Sequence, residues 1–275
     1  MKIKFVFVFL AVLVFTGACN KGASGNAESR TNEPYTIEVG GSTSVTPLME
    51  LLAEEYQNLK PYIKVNINGT GSGDGINNAG ELYQIGMSSR ELTPAEQGRG
   101  LRDTTIAIDG IAVIVNKDNP ITNLTVEQIR DIYTGVITDW SQVSNGAKRG
   151  RIAVVSREEG SGTRGAFEEL VGFQGRLLFG ANESTSTGAI KAGIAQNPDA
   201  IGYISLGSVD DTIKSISVGG VAASTANVVN GTYKIARPFI VLTGNNIHAE
   251  TTAFIQWILS AEGQAIVRRS WISVS

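Results

Sequence analysis

Cysteine and histidine are almost absent from these 275 residues: Cys19 and His248 are the only ones. A single cysteine excludes internal disulfides and a cysteine-built zinc site. A single histidine excludes metal-ligand spacing built on paired imidazoles, and there is no dense run of carboxylates to replace them. No Gly-Lys dipeptide occurs, so a phosphate loop of the nucleotide-hydrolase kind is excluded, and the glycines of Gly69–Gly75 do not form a Gly-x-Gly-x-x-Gly fingerprint. There is no Gly-x-Ser-x-Gly elbow, which leaves a Ser-His-Asp hydrolase resting on His248 without support. His248 falls near the start of a late helix and reads as a solvated or capping residue. The sequence therefore predicts no catalytic residue, no metal and no cofactor. Strong positive charge is also missing: the formal net charge is −3, which makes the chain a poor nucleic-acid binder.

No apolar run is long enough to span a bilayer, which needs about 20 residues. The run from Phe5 to Phe15 is shorter, follows Lys2 and Lys4, and ends at Thr16-Gly17-Ala18-Cys19. A basic start, an apolar centre and small residues at a cleavage point describe an export signal. Small residues directly before a cysteine resemble the lipobox of bacterial lipoproteins, with Thr16 where that motif commonly carries Leu. That likeness implies a signal peptide over 1–18, lipid attachment at Cys19 and a location outside the cytoplasm, anchored to the cell membrane. Residues 19–34 are polar, small and aperiodic, and read as a flexible tether.

What the sequence has in abundance is glycine, with 32 residues, and from Tyr35 onward a regular alternation. Short β-branched runs at 36–39, 64–67, 111–115, 152–155, 201–204 and 239–242 read as strands. Between them, Leu48, Leu51, Leu52 and Tyr56 recur at helical spacing, as do Phe167, Leu170 and Val171. Thr125-Val126-Glu127-Gln128 is a capping box flanked by Leu124 and Ile129, predicting a helix to about Tyr133 that ends at Gly135. Two further helices are expected over 250–259 and 261–268. The pattern predicts an α/β fold with a mainly parallel, doubly wound sheet, divided between two α/β lobes.

Four segments share one arrangement: a strand, then glycine with serine or threonine, then usually a helix. They are Gly40–Ser44, Gly69–Gly75, Ser88-Ser89-Arg90 and Ser156–Arg164. A helix start leaves backbone N–H groups unpaired and favours negative charge. Glycine lets an anion approach the backbone, hydroxyls add donors that can also accept, and Arg157 adds a fork of donors matched to two oxygens of a tetrahedral ion. Open α/β sheets bind ligands beyond the carboxyl ends of their strands, where all four segments lie. Together they predict a cleft for a small tetrahedral oxyanion.

These segments also carry a family likeness. Gly-Ser-Thr-Ser (41–44), Gly-Thr-Gly-Ser-Gly (69–73), Ile-Gly-Met-Ser-Ser-Arg-Glu-Leu (85–92) and Asp-Gly-Ile-Ala-Val-Ile-Val-Asn (109–116) come first. Leu-Thr-x-Glu-Gln-Ile (124–129), Tyr-Thr-Gly-x-Ile-Thr-Asp-Trp (133–140) and Arg-Glu-Glu-Gly-Ser-Gly-Thr-Arg (157–164) follow in order. From Tyr35 to the C-terminus the chain resembles the substrate-binding lipoproteins that bind phosphate for bacterial phosphate-specific ABC transporters. The resemblance implies a type II periplasmic-binding-protein fold, with two lobes joined by two crossover strands near Asp109–Ile111 and Ile235–Phe239. Lobe one would comprise 35–110 with 236–275, and lobe two 111–235. It also implies high-affinity capture of inorganic phosphate, delivery to permease subunits, and a monomer held to the membrane by lipid on Cys19. Thr43, Ser44, Ser72, Gly73, Ser89, Arg157, Ser161, Gly162 and Thr163 would bind phosphate, with Glu159 orienting Arg157. Some members carry Asp at the position of Ser89, where it accepts the proton of hydrogen phosphate and so rejects sulfate. Here Ser89, Asp109 and Glu158 are the candidate acceptors. Sulfate or molybdate as ligand, and a sensing or scavenging module without a transporter, remain open alternatives.

Overall fold

The computed structural model describes residues 33–275. The expected signal peptide, Cys19 and nearly all of the tether lie outside the described residues. The chain begins with β1 (Tyr35–Gly41), α1 (Thr46–Leu59), β2 (Ile63–Gly69), α2 (Ser72–Asn78), β3 (Ile85–Ser88), α3 (Pro94–Gln97) and β4 (Arg102–Asn116). It continues through β5 (Asn123–Leu124), α4 (Val126–Tyr133), β6 (Ala153–Arg157), α5 (Gly162–Val171), β7 (Asn182–Ser184) and α6 (Thr187–Gln196). Then come β8 (Ala200–Ser205), β9 (Ile213–Ser215), β10 (Ser217–Val218), α7 (Thr225–Val229), β11 (Ala236–Thr243), α8 (Ala249–Ile258) and α9 (Ala261–Val267).

Local sequence explains several of the helices. In α1 the buried residues Leu48, Met49, Leu52, Ala53 and Tyr56 recur at three- and four-residue steps, so one stripe faces the sheet. In α4 the capping box is complete: Gln128 N–H donates to Thr125 Oγ1, and Thr125 N–H donates to Gln128 Oε1. Leu124 and Ile129 on either side of the cap are both buried, and Gly135 follows at φ 79°. His248 caps α8, its Nδ1 accepting from the Glu250 N–H at 3.2 Å, and its ring stacks on Tyr35.

Nine strands form one curled, mixed sheet in the order β2-β1-β3-β11-β4-β8-β6-β7, with β9 on β4, and β5 pairs with β10 in a separate two-stranded sheet. The outer strands are parallel, as the alternation predicts: β1 with β2 and β3, and β6 with β7 and β8. The centre departs from a mainly parallel sheet, because β11 is antiparallel to both β3 and β4, and β4 is antiparallel to β8. The reason is connectivity. The 15-residue β4 crosses from one half of the sheet to the other, β11 brings the chain back beside it, and neighbouring outward and return segments must run in opposite directions.

Each half has its own hydrophobic core. One gathers Ile37, Leu48, Leu52, Met87, Ile106, Phe239 and Phe254. The other gathers Ile111, Val113, Tyr133, Trp140, Phe167, Tyr203 and Ile235. Along β4 the change of core falls between Ala107 and Ile111, and around β11 between Ile235 and Phe239. Asp109 pairs with Arg237 in the interval, two charged residues where the apolar pattern is interrupted.

Candidate oxyanion-binding site

The carboxyl ends of β1, β2, β3, β6 and β7 bring five short polar segments together. From the first half come Ser42, Thr43 and Ser44 after β1, Ser72 and Gly73 at the start of α2, and Ser89 after β3. From the second half come Arg157–Thr163 between β6 and α5, and Thr187 at the start of α6. Ser42, Ser44, Ser72, Ser89, Arg157, Ser161, Thr163 and Thr187 are all buried.

Their hydroxyls form one connected network. Ser42 Oγ donates to Ser89 Oγ at 2.9 Å, and Ser72 Oγ lies 3.3 Å from Ser89 Oγ while accepting the Ser89 N–H at 3.1 Å. Four links then pass to the second half, one of them between Thr43 Oγ1 and Thr187 Oγ1 at 3.4 Å. Ser44 Oγ and Thr163 Oγ1 are 2.8 Å apart, Ser44 Oγ and Thr187 Oγ1 3.1 Å, and Ser89 Oγ and Thr163 Oγ1 3.5 Å. Thr43 Oγ1 accepts the Thr187 N–H at 3.3 Å, and Gly73 N–H donates to Gly160 O at 3.0 Å.

Two close backbone approaches make this possible. A Cβ on Gly86 would stand 2.2 Å from Gly75 O, so only glycine lets α2 lie against β3 and carry Ser72 to Ser89. A Cβ on Gly162 would stand 2.4 Å from Ser72 Oγ and 2.9 Å from Ser89 Oγ, so glycine is what lets α5 meet the serines of the first half. Ser161 is the N-cap of α5, its Oγ accepting the Arg164 N–H at 3.3 Å. The remaining N–H groups of that first turn carry the positive end of the helix dipole.

Arg157 stands at the end of β6 with its side chain 2% exposed. Its Nε donates to Glu158 Oε2 at 2.8 Å and to Ser184 O at 3.2 Å, and its Nη2 donates to Glu158 Oε1 at 2.7 Å. Its backbone is fixed as well: the Arg157 N–H donates to the Tyr203 hydroxyl, which also bonds Ser156 Oγ. Burial pushes the Tyr203 hydroxyl up to about 12, so it stays neutral at ordinary pH.

The carboxylate that orients Arg157 is therefore Glu158, and the expectation for Glu159 is corrected. Glu158 N–H still bonds Ser184 O beside β7, whereas Ser161 N–H closes a turn onto Glu158 O and throws Glu159 outward, where it is exposed. Each oxygen of Glu158 takes one arm of the fork, so Glu158 is committed to Arg157 and is not a free proton acceptor. Asp109 is committed elsewhere too. It is fully buried, accepts from Ser205 Oγ at 2.8 Å and from Arg237, and has no hydrogen bond to the hydroxyl network. Burial pushes its carboxyl up to about 6, against the pull of Arg237 and Ser205.

Thr43, Ser44, Ser72, Gly73, Ser89, Gly162 and Thr163 thus meet around one point, with Ser161 and Arg157 on the adjoining loop. Ser42 and Thr187 belong to the same network, and sequence reasoning assigned neither. Thr187 had a readable signal: Ser184-Thr185-Ser186-Thr187-Gly188 repeats the strand-polar-helix arrangement a fifth time. The formal charges of Arg157 and Glu158 cancel, so the site offers hydroxyls, helix starts and a buried guanidinium rather than a net positive field. That composition suits an ion with several oxygens, held by many directed donors.

A family model described as a PBP superfamily domain matches residues 23–262. A Clostridium perfringens structure, described as a phosphate ABC transporter substrate-binding protein with bound phosphate, is 45% identical. It has a TM-score of 0.84 over 87% of this chain and 100% of that one. An ABC-type phosphate transport receptor from Vibrio cholerae is 38% identical, with a TM-score of 0.70 over 86% and 99%. The phosphate-binding protein PstS of Borreliella burgdorferi is 29% identical over 258 residues, 88% of this chain and 90% of that protein.

Proposed function

Because this chain belongs to the PBP superfamily, alongside substrate-binding proteins of phosphate ABC transporters, we propose that it captures inorganic phosphate outside the cytoplasm and delivers it to an ABC permease. The observation that carries the reading is the buried hydroxyl network linking Ser44 to Thr163, and Ser72 and Ser89 to the Gly162 turn, beside Arg157.

In this reading 35–110 with 236–275 form one lobe and 111–235 the other, hinged on β4 and β11, and phosphate enters when the lobes part. Ser44, Ser72, Ser89 and Thr163 hydroxyls then turn from one another to the ligand's oxygens. The first-turn N–H groups of α5 and the Arg157 donors that Glu158 does not occupy complete the cage. Ser89, which receives a hydrogen bond from Ser42, keeps a lone pair for the proton of hydrogen phosphate; sulfate has no such proton to give. Binding alone suffices for this task, and no covalent step is invoked. A lipid on Cys19 holds the monomeric protein near its permease. No helix of the described residues is long and apolar enough to cross a membrane.

Calorimetric titration with phosphate, sulfate and molybdate tests the proposal. Phosphate should bind with a micromolar or tighter constant, about −8 kcal/mol or better, and sulfate far more weakly. Equal competition by sulfate would replace phosphate by oxyanions in general.

A further inference from the structure

We propose that Arg237 is the second cation of the oxyanion site, strengthening phosphate binding through its charge; the proposal rests on the phosphate-binding reading above. Arg237 lies on β11 directly opposite Asp109 of β4, in the interval between the two cores. Its side chain is 2% exposed. Nε and Nη2 reach Asp109 Oδ2 at 3.4 and 3.2 Å, long for a charge-assisted pair. Nη1 is buried with no hydrogen-bond partner among the described residues.

Buried polar groups are hydrogen-bonded as a rule, and even the partly exposed Arg164 places two of its nitrogens on protein acceptors. That side chain bonds Glu168 at 2.7 Å, Arg157 O at 3.0 Å and Glu183 at 3.1 Å. A buried guanidinium with one donor left over departs from that rule and calls for a reason. Its surroundings supply one. Its partner Asp109 also accepts from Ser205 of β8, the strand whose Tyr203 hydroxyl takes the Arg157 N–H, and the Arg157 charge adds to burial in lowering the Arg237 guanidinium from its ordinary value. Two buried guanidiniums are thus tied to the same pair of central strands, β4 and β8, each with a single carboxylate partner: Glu158 for Arg157 and Asp109 for Arg237. Like charges brought together away from water repel strongly, and a dianion beside them offsets that repulsion. The sequence offers no warning, since Asp109 and Arg237 are 128 residues apart.

The test titrates the full chain and its variants with inorganic phosphate and records Tm in parallel. Asp109→Leu with Arg237→Met removes the pair without leaving an unpaired buried charge, the case in which folding is retained. Affinity should fall by about tenfold or more with Tm little changed. Asp109→Asn removes only the counter-charge and should tighten phosphate binding by about threefold, the opposite direction. A purely structural pair makes a different pattern: the double variant binds like the wild type, or both variants weaken binding alike, and either result overturns the proposal. If the double variant does not fold, Arg237→Lys decides. Affinity within about threefold of wild type supports the charge role, and a loss of about tenfold at unchanged Tm overturns it. A wild-type chain that takes up no phosphate would remove the functional reading itself, a result distinct from variants that match a phosphate-binding wild type.

Discussion

Ser44 Oγ and Thr163 Oγ1 lie 2.8 Å apart although 119 residues separate them, and they belong to opposite halves of the sheet. Both residues are buried, and the pair ties the segment after β1 to the first turn of α5. If that contact lies in the ligand cage, Thr163→Val keeps the shape and removes one donor to a charged ligand. Phosphate affinity should fall by about 1.5–3 kcal/mol, roughly ten- to a hundredfold, as read by calorimetry. A change in Tm without a change in affinity would contradict the assignment.

Gly162→Ala probes the fit between the halves. The added Cβ would stand 2.4 Å from Ser72 Oγ, so the two surfaces cannot approach as they do here. The φ of Gly162 is not in the left-handed region, and alanine is tolerated in a first helical turn, so the variant should fold normally. Phosphate affinity should drop at least tenfold, about 1.4 kcal/mol, with Tm in the absence of ligand within a few degrees of wild type.

Tyr203→Phe addresses the support of Arg157 rather than the cage. The phenol bonds Ser156 Oγ at 2.9 Å and receives the Arg157 N–H at 3.3 Å, while its ring stacks on Phe167 at 4.0 Å. Phenylalanine keeps the stacking and strands two buried polar groups. Stability should fall by about 1–3 kcal/mol in denaturant unfolding.

Much of this architecture was legible because its causes are local. The Thr125 capping box, the β-branched strands and the Gly162 turn depend on residues within a few positions of one another. What stayed hidden is non-local. The antiparallel pairing of β4 and β11 joins segments more than a hundred residues apart, so the alternation of strands and helices suggested a more uniformly parallel sheet. Leu170 fits the helical spacing of Phe167 and Val171, yet it is 40% exposed, because the core covers a narrower stripe of α5 than the pattern implies. The choice between Glu158 and Glu159 turned on one tight turn, which the Glu-Glu pair does not specify.

Acid should loosen a contact beside the site. Glu96 takes both arms of Arg90, at 2.7 and 2.8 Å, and accepts the Thr93 N–H at 2.9 Å in a capping box. Arg90 in turn reaches the place where a Cβ on Gly165 of α5 would lie. The Arg90 guanidinium lowers the Glu96 carboxyl from 4.5 to about 2. A carboxyl depressed on folding contributes stability above its unfolded value and loses it as pH falls, here between 4.5 and about 2. Glu96→Gln should therefore lower Tm at pH 6, and the gap between variant and wild type should close by pH 2. A gap independent of pH would show that the pair's charge is irrelevant.

The central claim is that the buried Arg157 and a ring of hydroxyls hold a four-oxygen ion between the two halves of the sheet. Calorimetric titration of phosphate into the wild type and Arg157→Ala, side by side, tests it most directly. The account predicts micromolar or tighter binding in the wild type and a loss of a hundredfold or more, about 2.7 kcal/mol, in the variant. Equal affinity in the two proteins would contradict it.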